Sequence, residues 1–148
     1  MPTELPSSMQ AIIADFRASD REEKLELLLE YSDRMPELPA RLAEHRRAMD
    51  RVHECMTPVS VYAEHAGGGL HFFYEIPQEA PTIRGYAAIL AAGLAGIAPA
   101  TMLEIPMDLA YQLGLQGVLT GQRLNGISAL LAHMKRLAVK ELNDTVTG

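Results

Sequence analysis

One cysteine, no tryptophan and a shortage of cations mark this chain of 148 residues. A single thiol excludes an intrachain disulfide framework, and with it any zinc or iron–sulfur site built only from one chain's cysteines. Lys and Arg total 13 against 19 Asp and Glu, a formal net charge of −6, and no concentrated basic stripe relieves that balance. Such a chain repels a phosphate backbone, so nucleic acid is not an expected partner. A long apolar run is missing too. The most apolar stretch, 86–100, is broken by Gly93, Gly96 and Pro99 and falls short of the ~20 residues that span a bilayer. The N-terminal Met1-Pro2-Thr3-Glu4-Leu5-Pro6 has no basic segment leading into an apolar one, unlike a secretory signal. No membrane attachment and a cytoplasmic location are therefore expected.

What is present is ordinary for a globular chain. Hydrophobic residues make up 48% and charged ones 22%, enough at this length for one core without staples. Residues 1–148 read as one domain, with no repeat and no linker. Met9, Ile12, Ile13 and Phe16 fall at helical spacing after a candidate N-cap at Ser8. Asp20 and Glu23 have the spacing of an acidic capping box, opening a helix whose apolar stripe uses Leu25, Leu28 and Leu29. Pro36 and Pro39 then end regular structure. The polar, basic segment 41–50, with Arg41, Arg46 and Arg47, reads equally as a short helix or an exposed connection.

The period changes next. Val59, Val61 and Ala63 alternate with polar or half-polar positions, and Gly67-Gly68-Gly69 then precedes Leu70-His71-Phe72-Phe73-Tyr74-Glu75-Ile76. That pattern predicts an antiparallel hairpin, with Val52-His53 as a candidate short strand before it. From 82 onward the spacing of Ile83, Tyr86, Ala87, Leu90 and Leu94 predicts a helix ending near Gly96. Short helices are expected at 99–104 and 107–113, divided by Pro106. Thr120 caps a last helix whose apolar face is Leu124, Ile127, Leu131, Met134 and Ala138. The expected class is α+β: a small antiparallel sheet packed with helices from both ends of the chain.

Chemistry, if present, centres on Cys55, in His53-Glu54-Cys55-Met56-Thr57-Pro58-Val59 just before the first strand of the expected hairpin. A thiol reacts as its thiolate, which Arg51 and His53 favour and Glu54 opposes by raising the thiol pKa. Taken alone, a lone cysteine is most often a small buried hydrophobe. His53 stands two residues from Cys55, a spacing that puts both on one face of a strand. It reads as a base near the thiol or as an ordinary half-exposed residue. His65 and His71 flank the glycine turn, but with His53-x-Cys55 they match no standard zinc spacing, and no metal site is expected. Gly121 and Gly126 inside a helical pattern each cost roughly 1 kcal/mol against alanine, which points to close packing against the cysteine loop.

The pattern around Cys55 extends well beyond it. Arg51-Val52-His53-Glu54-Cys55-Met56-Thr57-Pro58-Val59 resembles the Arg-Val-x-Gly-Cys-x-Ser-x-Val loop of the SufE family of sulfur-acceptor proteins in iron–sulfur cluster assembly. Ile83-Arg84-Gly85 resembles that family's Ile-Val-Lys-Gly helix start. Leu113-Gly114-Leu115, then Leu119-Thr120-Gly121-Gln122-Arg123-Leu124-Asn125-Gly126, resembles its closing signature. The clearest resemblance covers 51–140, with weaker support from 31–39. Departures are Glu54 in place of glycine, Met56-Thr57 in place of Gln-Ser, and Pro58.

The resemblance implies a fold like that of SufE and the IscU scaffold, and a relay chemistry. A SufS-like cysteine desulfurase, carrying its own pyridoxal phosphate, holds sulfur as a persulfide. Cys55 takes that sulfur and passes it to a SufBCD-like scaffold. The chain itself then needs no cofactor and acts as a sulfur-transfer partner rather than a stand-alone enzyme. Scaffold work is not expected, since only one cysteine ligand exists. Arg123 matches the family's arginine at the start of the last helix, where it either holds the helix start or acts near the cysteine; His53 and Glu54 are the other supporting residues. The alternative from another class is a non-catalytic adaptor of the same fold that binds a desulfurase without sulfur transfer. A redox-sensing thiol ranks last, because no second cysteine resolves it.

Overall fold

The carboxylate of Asp20 accepts from the Glu23 amide at 2.9 Å, and the Glu23 carboxylate accepts from the Asp20 amide at 3.0 Å. This reciprocal box satisfies two amides that a helix start otherwise leaves without partners. In the computed structural model it opens α2 (Arg21–Asp33), which follows α1 (Ser7–Arg17). The structure describes residues 5–36, 38–40, 50, 51 and 59–147, without the side chains of 50, 51 and 144–147. The expected cap at Ser8 is not made. Helix α1 starts at Ser7 behind Pro6, and Ser8 Oγ donates instead to the Gly93 carbonyl at 2.8 Å. That bond joins α1 to the end of α3 (Pro81–Gly93).

The sheet has three antiparallel strands in the order β1 (Asp50–Arg51), β2 (Ser60–Ala66) and β3 (Gly69–Glu75). β1 stands at 50–51, earlier than the expected Val52-His53, and those two residues lie outside the described ones. The hairpin turn uses two of the three glycines. Gly67 and Gly68 have φ of +61° and +83°, while Gly69 already pairs with Ala66. A two-residue loop with positive φ at both positions has the twist that antiparallel strands need. Val61 lies opposite Tyr74 and Ala63 opposite Phe72, which sets one face inward. Val61, Leu70, Phe72 and Tyr74 on that face are buried.

After α3 come α4 (Pro99–Glu104), α5 (Leu109–Gln112), a 3₁₀ turn at Leu115–Gly117 and the long α6 (Gly121–Thr147). Thr120 Oγ1 accepts from the Arg123 amide at 3.3 Å, as its position before α6 predicts. Leu124, Ile127, Leu131, Met134 and Ala138 are all buried. Helix α6 crosses the inner face of the sheet, where the Tyr74 hydroxyl donates to Met134 Sδ at 3.4 Å and His65 lies 3.6 Å from Glu141. Helices from both ends of the chain thus enclose a small antiparallel sheet around one apolar cluster, an α+β fold.

Helix α2 departs from expectation. Leu28 is fully buried, but Leu25 and Leu29 are each 39% exposed. The cause lies in α3, where Gly85 brings the α2 backbone so close that its missing Cβ would fall on the Leu28 carbonyl. The contact line therefore runs along Leu28 and the buried Ser32. At about 100° per residue, Leu25 and Leu29 point roughly 60° and 100° away from Leu28. Gly121 departs too: it is exposed with open space around it, whereas Gly126 is buried.

Candidate functional site

In the register between β1 and β2, Arg51 lies opposite Ser60 and Asp50 opposite Val61. Residues 52–58, with His53, Glu54 and Cys55, lie outside the described residues, as do Arg46 and Arg47. The platform that holds both ends of that segment is described. Arg51 and Ser60 are ladder partners, so the chain leaves for Cys55 and returns from it at one end of the sheet.

That end gathers several elements. Ser60 faces Glu75, the last residue of β3. The next residue, Ile76, offers its carbonyl to Arg84 Nη1 at 2.7 Å, tying the start of α3 to the strand end. Two residues before Arg84, Thr82 Oγ1 accepts from Arg123 Nη1 at 2.8 Å, tying the start of α6 to the start of α3. Two guanidiniums and the N-terminal ends of a 13-residue and a 27-residue helix therefore converge on the sheet end that anchors the Cys55 segment. Helix N-termini carry partial positive charge, and this convergence favours anions such as a thiolate. Glu75 and Glu79, both exposed near the same end, oppose it.

Arg123 is the one expected site residue among those described. Its side chain bonds Thr82 across 41 residues of sequence, and its own amide is capped by Thr120. Thr82 and the Arg84–Ile76 bond are the parts that sequence reasoning missed. The Ile83-Arg84-Gly85 match marked the neighbourhood, but no local pattern signals a contact so distant in sequence. Gly85 in the same motif has a physical reason, the close approach of α2. The two turn histidines do not meet: His65 pairs with Leu70 and His71 with Glu64, which puts them on opposite faces of the hairpin. Phe72 and Tyr74 are core, while Phe73 is half-buried on the other face.

Among the described residues no helix is long and apolar enough to cross a membrane. The family model for SufE, the Fe-S metabolism associated domain, matches residues 10–138. Two uncharacterized SufE-like proteins of Mycobacterium tuberculosis, from strains CDC 1551 / Oshkosh and H37Rv, are each 41% identical over 138 residues. Each match covers 91% of this chain and 94% of the relative. SufE-like protein 1, chloroplastic/mitochondrial, of Arabidopsis thaliana is 29% identical over 150 residues, 98% of this chain but 39% of that protein. The solution structure of a hypothetical protein from Thermus thermophilus has the same fold. Its TM-score is 0.83 at 31% identity, covering 95% of this chain and 99% of that one. With a family match across most of its length and a shared fold to go with it, this chain belongs to the SufE family of Fe–S metabolism.

Proposed function

We propose that this chain takes sulfur from a SufS-like cysteine desulfurase as a persulfide on Cys55 and passes it to a SufBCD-like iron–sulfur scaffold. The observation that supports this most is the anchoring of the Cys55 segment. The chain's only thiol is joined on both sides, through Arg51 and Ser60, to the sheet end where Arg84, Arg123 and two helix starts converge.

The step is thiol exchange. Cys55 Sγ, as thiolate, attacks the outer sulfur of the donor R–S–SH. A bond forms between Cys55 Sγ and that sulfur, the donor S–S bond breaks, and its electron pair leaves on R–S⁻. The product is Cys55–S–SH, with no net oxidation or reduction. The scaffold's acceptor thiolate repeats the exchange. The reacting form is the thiolate; His53 takes the thiol proton, and the carboxylate of Glu54 works against the thiolate. Arg123, held by Thr82, supplies fixed positive charge at the same end. Pyridoxal phosphate belongs to the desulfurase, and the relay needs no cofactor of its own. The reaction belongs in the cytoplasm, beside free cysteine and the scaffold.

Intact-protein mass spectrometry after incubation with a cysteine desulfurase and free cysteine tests this. The expected result is a gain of one sulfur, about 32 Da, that disappears in Cys55→Ser. No gain, together with desulfurase binding that survives Cys55→Ser, would replace the relay with the adaptor reading.

A further inference from the structure

Away from the residues assigned to the relay, helix α2 carries an exposed surface that is part apolar and part acidic. Leu25 and Leu29, one turn apart, are each 39% exposed. Beside them a groove of about 280 Å³ opens between α2 and the turn that follows the 3₁₀ segment, lined by Arg21, Glu22, Leu25 and Val118. From Glu22 in that lining, a row of exposed carboxylates continues along the helix through Glu26, Glu30 and Asp33. Among the described residues none of those four carboxylates is in an ion pair. Helix α2 holds five carboxylates against two cations, half of the chain's net charge of −6.

We propose that this face of α2 docks a basic amphipathic helix of a partner protein. The i, i+4 leucines offer an apolar strip of the width one helix covers, and the carboxylates beside it call for Lys or Arg on the partner's flank. Charge also decides against a second copy of this chain. A two-fold contact through the same face would set carboxylates against carboxylates. The strip is small beside the ~1,200–2,000 Å² of a stable interface, so the contact is a weak, transient one. The proposed transfer through Cys55 does not depend on it.

The probe is a fluorescein-labelled synthetic peptide of about 18 residues, long enough to hold a helix, with Leu and Lys in amphipathic order. The controls are the same composition scrambled, and the same order with Glu for Lys. Anisotropy measures affinity, and amide chemical shifts of the full-length chain locate the contact. Expected are shifts confined to 21–33 and 115–121, and at least about tenfold weaker binding in Leu25→Ser/Leu29→Ser. Glu26→Lys/Glu30→Lys should lose binding as well, while Cys55→Ser binds as the parent does. Unchanged melting curves for the two surface variants check their folds. Unchanged affinity in both variants, shifts elsewhere, or equal binding of the scrambled peptide would overturn the proposal. So would a concentration-dependent dimer of the parent chain that Leu25→Ser/Leu29→Ser abolishes, since it would give the face to a second copy.

Discussion

Replacing Gly85 with alanine sets two effects of opposite sign against each other. Alanine inside a helix is favoured over glycine by about 1 kcal/mol, so propensity alone predicts a more stable protein. Geometry predicts the reverse. A Cβ on Gly85 would sit on the Leu28 carbonyl oxygen, with Leu28 Cδ1 at 2.9 Å and Cγ at 3.0 Å. A backbone oxygen cannot rotate aside as a side-chain tip does, so α2 and α3 must separate along the line of Leu28 and Ser32. Overpacking of this kind costs about 1–3 kcal/mol, and a backbone obstacle belongs at the upper end. The net expectation is a loss of about 2 kcal/mol. For a chain of this size that lowers the melting temperature by about 6 °C. Thermal unfolding followed by circular dichroism reads it directly. Gly121→Ala, at a position with open space, serves as the control without such a loss. A Gly85→Ala protein melting at or above the parent temperature would refute the account of why α2 lies where it does.

Two further expectations concern local chemistry. Asp20→Ala removes half of the capping box and should cost about 1 kcal/mol in denaturant unfolding, with Asp20→Ser keeping most of it; equal stability of all three would dismiss the cap. Burial pushes the Tyr74 phenol far above its ordinary range, helped by Tyr86 beside it, and burial does the same to Tyr86. Because their folded pKa values exceed the unfolded value near 10, the stability they contribute is present below pH ~10 and falls as pH rises above it. In an alkaline titration, two of the five tyrosines should therefore ionise only as circular dichroism is lost. Full tyrosinate absorbance with the fold intact would contradict this.

Local rules were legible where partners lie within a few residues. The Asp20–Glu23 box, the Thr120 cap and the glycine turn each involve groups three residues apart or fewer, and each forms as its spacing predicts. The α+β class and the last helix followed from periodicity. What failed depends on partners distant in sequence. Ser8 left its capping role for Gly93, and Leu25 and Leu29 lost their place in the core because Gly85 drew α2 in along Leu28. Thr82, which holds Arg123, gave no sign of doing so in either segment's pattern. Of the expected site residues, Arg123 is described, while His53, Glu54 and Cys55 fall in 52–58.

The distant tether of α1 has a consequence for how the chain is made. Ser8 bonds the carbonyl of Gly93, and Arg17 Nε donates to the carbonyl of Gln112 at 3.2 Å. Both acceptors are synthesised long after the helix that needs them. At roughly 5–20 residues per second, some 95 residues of delay leave α1 waiting for roughly 5–20 s after it leaves the ribosome. Until α3 and the segments after it emerge, Met9, Ile12, Ile13 and Phe16, all buried in the finished protein, lack the residues that complete their core. Nascent chains interrupted in that window offer those four side chains to chaperones or to one another.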